Sequence, residues 1–386
     1  MNFMGYRRPD GKVGVRNHIG VMATVGCANK VVHDICHSIK GTAPITHEQG
    51  CLRVTSDLQM TQRTLIGLGR NPNLAAVLLV GLGCESVFPD QIAEEIAKSK
   101  KPVELVSIQK LGGSIKAAAA GSELAAEMVL NASEINREEC KASELIVATK
   151  CGASDATSGL SSNLAVGAFA DILVGEGGSF LFGEVCDIMG SEQFLAKRAT
   201  DAETGQKIID MVNSLIDRSE AIGADVVGCQ LTEGNKKGGL TTVAEKAVGA
   251  TTKSGSKPID GFLDYGDELK GKGLWVIPTP GHGFENLTGE AAAGAQLHLH
   301  TTGLGSPSGH PVLPVIKLTG NINTWKNLNV HMDFNVSSII DGEETVEEAG
   351  RRLFSEVLKV ASGKLAKSEI LHYDTSMDIL VYGPVI

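Results

Sequence analysis

Three near-continuous apolar runs in the first third of the chain, "HIGVMATV" (His18 to Val25), "LAAVLLVGLG" (Leu74 to Gly83) and "PVELVSI" (Pro102 to Ile108), restrict most strongly what it can become. A strand without polar alternation has both faces covered, the situation in a parallel sheet flanked by helices. The intervals carry helical spacing: Val31, Val32, Ile35, Cys36 and Ile39 recur every three or four residues, and "DLQMTQRTLIGLGRNPN", "FPDQIAEEIAKSK" and about Ile115 to Asn131 read as further helices. Strand and helix thus alternate over about residues 15–140, which predicts a doubly wound, mostly parallel α/β sheet with right-handed crossovers. The charged "NREECKASE" (136–144) reads as a link. Beyond it, strands are expected near "LIVATK", "GSFLFGEV", "GLWVIPT", "AQLHLHTT" and "PVIKL", in an order that leaves the topology of this second α/β domain open. The expected division is a Rossmann-like domain over 1–140 and a second domain over 141–386.

Composition narrows the class. A net charge of -10, with no cluster of Lys and Arg interleaved with aromatics, argues against nucleic acid. No uninterrupted apolar run of 18 residues occurs and the first residues are polar and charged, so a cytoplasmic protein with neither membrane span nor signal peptide is expected. In that setting the eight cysteines read as thiols, core residues or metal ligands rather than disulfides.

In open α/β sheets ligands bind beyond the carboxyl ends of the strands. Cys27, Cys51, Cys84 and Cys151 all follow predicted strands, with His47 close to one of them in "HEQGC". Thiolate and imidazole suit iron better than Mg²⁺ or Ca²⁺. Free cysteine is more often inert core, the assignment for Cys36, Cys140, Cys186 and Cys229. "KCGASDATSG" and "FGEVCD" bring Lys150, Asp155 and Glu184 to strand ends where acid and base groups can be staged, although Asp155 is equally suited to capping the next helix. "HMDFN" adds Asp333, and His298 and His300 alternate along "LHLHTT", facing one side of a strand. The glycine-rich "TEGNKKGGLTT" and "GLGSPSG" read as anion-binding loops, and Arg16, Lys236, Lys237, Thr301 and Thr302 as binders of a carboxylate or sulfonate. Neither loop has Walker spacing, and no G-x-G-x-x-G follows the first strand, which disfavours hydride transfer.

Taken together, "GYRRPDGKVGVRN", "GLGCE", "CGASDATSG", "GNKKGGLTT", "TTGLGSPSG" and "ASGKLAKSE" resemble the altronate/galactarate dehydratase family along almost the whole chain. The resemblance implies a lyase dependent on Fe(II), with Mn(II) or an iron–sulfur cluster as alternatives, that removes a β-substituent from a small anionic 2-hydroxy acid to give a 2-oxo acid. It implies metal ligands among His47, Cys51, Cys84 and Cys151. Acid and base roles fall to Lys150, Asp155 and Glu184, and substrate binding to Arg16, Asn17, Asn235, Lys236, Lys237, Thr301 and Thr302. The "GYxRPDG" motif starts at Gly5, where family members usually carry a preceding SAF domain. A separate small SAF-domain subunit, and so a hetero-oligomer, is therefore expected. This is the split arrangement of the (2R)-sulfolactate sulfo-lyases, which expel sulfite, and of some sugar-acid dehydratases. "LTEGNKKGG" and "MDFNVSSII" depart from the hexonate-type loops, so a pocket unlike that of the hexonate enzymes is expected; Lys237 and its neighbours favour a sulfonate, with a split sugar-acid dehydratase of altronate or galactarate type as the alternative.

Overall fold

The computed structural model describes residues 1–384. Its strands are β1 (Asn2–Arg7), β2 (Val13–Gly14), β3 (His18–Ala23), β4 (Thr42–Ile45), β5 (Leu74–Gly81), β6 (Val103–Ser107), β7 (Glu138–Lys141), β8 (Ile146–Cys151), β9 (Ser179–Phe182), β10 (Ile259–Phe262), β11 (Gly273–Val276), β12 (Leu297–Thr301), β13 (Val315–Thr319) and β14 (Phe334–Asn335). They form a four-stranded sheet in the order β4-β3-β5-β6, a seven-stranded sheet in the order β10-β11-β9-β8-β12-β13-β14, and a small sheet β2-β1-β7. All pairings in the two larger sheets are parallel, as the apolar runs required.

All eight residues of β5 are buried because its two faces serve different cores. Ala76, Leu78 and Val80 pack with the helix Asn29–Ser38. Val77 and Leu79 join a layer containing Leu65 and Leu68 of the helix Thr55–Arg70 together with Ala148, Leu181 and Ile277 from the large sheet. The two sheets therefore share one apolar layer. Asn71 and Asn73 pin it with side-chain hydrogen bonds to the carbonyls of Ala291, Ala295, Gln296 and Val312, each at 2.8 Å.

The segment expected as a link is instead β7, which pairs antiparallel with β1. Its register sets Phe3 against Cys140, and both are buried, so Cys140 lies on a strand and not on a helix face. The strand was hidden because "NREECKASE" is polar and only Cys140 turns inward.

Two expected binders are structural. The Arg16 guanidinium forks onto Glu369 at 2.6 and 2.7 Å and donates to the carbonyls of Val360 and Lys364, which leaves no face for substrate. Asn17 accepts from Arg8 and donates to the carbonyl of Ala132. The apolar helical stretch Ser158–Gly175 is long enough to span a bilayer, yet it is mostly buried, and Phe169 packs on Phe354 of the helix Val346–Ala361.

Candidate functional site

In the seven-stranded sheet the chain moves from β8 to β9 on one side and later returns to place β12 on the other. This reversal lies at the carboxyl ends of β8 and β12, the position at which open α/β sheets bind ligands. Cys151 ends β8 and Thr301 ends β12, as direct register partners.

Cys151, Glu184 and Asp187 bring a thiol and two carboxylates within 4.8 Å of one another, all buried. Glu184 stands just past β9 on left-handed backbone (φ 67°, ψ 68°), a conformation that costs a non-glycine residue about 1–3 kcal/mol and tends to be kept at functional sites. Its Oε2 accepts from the Cys151 amide at 2.7 Å and from Lys253 Nζ. Its Oε1 is buried with no hydrogen-bond partner among the described residues and lies 3.8 Å from Lys150 Nζ. Asp187 accepts from the Cys151 thiol at 3.0 Å and pairs with Lys246 at 3.1 Å.

Burial, with Glu184 alongside, pushes the Cys151 thiol up to about 12. Burial also opposes the charge of Asp187, but Lys246 and Lys253 outweigh it and hold the carboxylate below its ordinary range. Lys253 is desolvated too, yet the facing Cys151, Glu184 and Asp187 keep it charged above its ordinary value. The donor set fits a divalent transition metal. A thiolate beside carboxylates suits Fe(II) better than an all-oxygen set would, the two carboxylates also suit Mn(II), and Glu184 Oε1 is an orphaned acceptor.

This trio contains only one of the four residues expected to hold metal. His47 is excluded: its Nε2 bonds the carbonyl of Ala23 at 2.9 Å, its Nδ1 accepts from the Gln49 amide at 3.0 Å, and burial lowers its pKa to about 4. Cys51 and Cys84 are exposed, on adjoining loops at the edge of the small parallel sheet, where the Ser86 amide bonds the carbonyl of Gly50 at 2.9 Å. They follow β4 and β5, whereas Cys151 follows β8 of the other sheet, and no ligand group among the described residues unites them. One thiolate also suits a mononuclear ion better than an iron–sulfur cluster, which takes three or four.

Asp155 turns out to be a structural hub. Oδ1 accepts from Thr157 Oγ1, the Ser158 amide and Ser158 Oγ, and Oδ2 accepts from Asn321 Nδ2 at 2.8 Å. It holds the Ser158 amide at the start of the π-helical turn Ser158–Ser162 and ties the β8 turn to the β13 turn through Asn321. Asp155→Ala should lower the unfolding free energy by about 1–3 kcal/mol by stranding these donors, with Asp155→Asn much milder. Equal urea midpoints for the alanine variant and the parent would contradict this role.

Asn235 donates to the carbonyl of Ser154 at 2.8 Å and caps its own short helix with Thr232, so it positions the "GNKKGG" loop against the β8 turn and does not face substrate. Lys236 and Lys237 stand exposed on that loop, with Lys236 paired to Glu233. Thr301 and Thr302 are buried; Thr302 Oγ1 accepts from the Gly305 amide and Thr301 Oγ1 contacts the carbonyl of Lys150. Asp333 accepts from the Lys317 and Lys367 amides.

Sequence reasoning missed Asp187, Lys246, Lys253, Glu290 and Lys317. Asp187 follows Glu184 by three residues, and Lys317 is a lone charge in the apolar strand "PVIKL", so both carried a local signal. Cys186, read as inert, lies at the site, where a Cβ on Gly281 would come within 2.4 Å of its sulfur.

Residues 5–133 match the family model described as D-galactarate dehydratase/altronate hydrolase, second domain, and residues 142–382 match D-galactarate/altronate dehydratase, C-terminal. The chain is 38% identical to the (2R)-sulfolactate sulfo-lyase subunit beta of Chromohalobacter salexigens, over 96% of this chain and 95% of that one. It is 32% identical to the altronate dehydratase of Bacillus subtilis, over 95% of this chain and 75% of that one. With the galactarate dehydratase (L-threo-forming) of Escherichia coli the identity is 34%, over 94% of this chain and 73% of that one. The chain belongs to the D-galactarate/altronate dehydratase family of lyases.

Proposed function

We propose that this chain is the large subunit of a cytoplasmic, iron-dependent lyase that eliminates sulfite from (2R)-sulfolactate to give pyruvate, working with a small SAF-domain subunit. The observation that carries this reading is the 38% identity to a sulfo-lyase subunit over 96% of this chain and 95% of that one, against 31–34% to the dehydratases.

The substrate is a small dianion whose C2 proton lies beside a carboxylate, so further negative charge there must be stabilised. Fe(II) held by the Cys151 thiolate and the carboxylates of Glu184 and Asp187, with Mn(II) as the alternative ion, would supply Lewis acidity toward the carboxylate and 2-hydroxyl of the substrate. Lys253 and Lys246 fix the two carboxylates behind that position. Lys150 contributes a buried ammonium 3.8 Å from Glu184 Oε1, and the exposed Lys236 and Lys237 would meet the sulfonate. Removal of the C2 proton leaves its electron pair to form C2=C3 while the C3–S bond breaks toward sulfur. Sulfite departs and the enol takes a proton at C3.

The test is an anaerobic assay of the two-subunit enzyme with added Fe(II), offering (2R)-sulfolactate, D-altronate and galactarate separately. Sulfite and pyruvate should appear in equal amounts from the first. The second reading, a split sugar-acid dehydratase, is favoured by the identities of 32% and 34% to such enzymes, and oxo acid from a sugar acid with no sulfite from sulfolactate would establish it instead.

A further inference from the structure

The register of the large sheet aligns three basic side chains in one row. His300 of β12 pairs with Lys150 of β8 on one side and with Lys317 of β13 on the other. All three residues are buried. The row lies one residue before the end of β12, at the reversal of strand order, on the face opposite that of Leu297 and Leu299.

His300 is the unusual member. Among the described residues neither of its ring nitrogens has a hydrogen-bond partner, although the residue is only 3% exposed. A buried imidazole normally satisfies both, so two orphaned nitrogens mark a place for a ligand atom or water. The β8 turn packs directly on this ring: a Cβ at Gly152 would lie 2.7 Å from His300 Nε2, so only glycine lets the backbone approach without pressing on that nitrogen. One residue pair deeper, His298 Nδ1 meets Glu290 Oε2 at 2.6 Å, and the rings of His298 and His300 sit edge to face with centroids 6.0 Å apart. The Glu290–His298 pair thus holds the wall against which His300 rests.

Two carboxylates at this edge are already committed, Asp155 through both oxygens and Glu184 through Oε2, with its Oε1 assigned above to the metal position. Asp155 receives four donors, and Glu184 is tied to Lys253 and to the Cys151 amide. We propose that His300 is the catalytic base that takes the C2 proton of the hydroxy acid, with Lys150 and Lys317 flanking it as the cations that face the substrate's anionic groups and with Glu290 and His298 as positioning residues. This rests on the elimination reading above. In the step, a ring nitrogen of His300 accepts the C2 proton, the C–H electron pair becomes the C2=C3 bond, and the leaving group departs with the pair of its bond to C3. Burial foremost, then Lys150, His298 and Lys317, press His300 toward its neutral form, the form a base requires.

The experiment compares the parent, His300→Gln and Gly152→Ala as the two-subunit, iron-loaded enzyme. Release of 2-oxo acid from ordinary and C2-deuterated substrate is followed, with iron content and the thermal melt measured in parallel. The expected result for His300→Gln is a kcat lower by about 100-fold to 10,000-fold with KM within about threefold, unchanged iron content and partial rescue by added imidazole. Gly152→Ala, which crowds the same nitrogen without removing it, should lose kcat while keeping the parent's iron. A His300→Gln enzyme with the parent's kcat and isotope effect overturns the assignment and leaves the elimination reading standing. If His300→Gln melts early, Gly152→Ala decides alone, and parental turnover in it overturns the proposal. A parent that yields no oxo acid from any hydroxy acid overturns both readings together.

Discussion

Cys151→Ser should strip the enzyme of its metal and its turnover together, while Cys51→Ser and Cys84→Ser leave the iron content at the parental level. The trio at β8 and β9 has a single soft donor, and Cys51 and Cys84 follow strands of the other parallel sheet. Losing only a group that orients a ligand typically costs about 10–100-fold in metal affinity, and losing the ligand itself costs more. The pH dependence has a definite sign. With the Cys151 thiol pushed up to about 12, metal must displace its proton, so each bound ion releases one and affinity should climb about tenfold per pH unit through neutrality. Iron analysis after gel filtration at several pH values measures both. Full iron in the Cys151→Ser enzyme, or its loss in either of the other two, would move the metal to the first sheet.

The second large effect concerns stability. Lys253 is fully buried and bonded to Glu184, which is itself buried. Removing one partner of such a pair leaves an uncompensated charge in a dry interior, and Lys253→Met should lower the unfolding free energy by about 3–5 kcal/mol. The double variant Lys253→Met with Glu184→Gln should recover a large part of this, because the stranded charge is gone. Lys253 is held charged above its ordinary value of 10.5, so its contribution is fully present below that pH and fades only as pH rises through the higher folded value. The deficit of the single variant should therefore be flat from about pH 6 to 9. Urea unfolding of the three proteins gives the comparison, and strictly additive losses in the double variant would show that the pair is not coupled.

Much of this architecture could be read directly from residue patterns, for reasons that vary by element. β5 was legible because a strand buried on both faces writes eight apolar residues in a row. The helix Val346–Ala361 is encoded locally, since Thr345 and Glu348 form a capping box ahead of an amphipathic run. β7 was not legible, since a strand with one inward residue in four carries almost no periodic signal. The same contrast holds at the site. Lys150, Cys151 and Glu184 stand at strand ends, where topology alone brings groups together, and their proximity could be anticipated. Lys253 reaches Glu184 from a turn 69 residues away, which no local spacing encodes. Arg16 and Asn17 failed as substrate binders because long-range partners such as Glu369 cannot be seen from a motif, and an arginine in a glycine-rich opening looks the same whether it clasps a ligand or the chain's own far end. His47 misled for a related reason: a histidine beside a cysteine suggests a ligand, whereas here two backbone groups consume both nitrogens.

The separation of the cysteines between two sheets gives the chain two populations of sulfur with opposite chemical characters. Cys27, Cys51 and Cys84 are open to solvent at the rim of the four-stranded sheet, where alkylating reagents and peroxide can reach them. Cys151 is shielded and kept protonated until a cation claims it, so it reacts poorly with the same reagents. Thiol modification would thus reach Cys27, Cys51 and Cys84 together with the exposed Cys229, whereas oxygen would act on an ion held by the buried trio. Sulfenic acids or disulfides at the exposed thiols would be reversed by reductant and loss of an ion by fresh metal, whereas alkylation would persist.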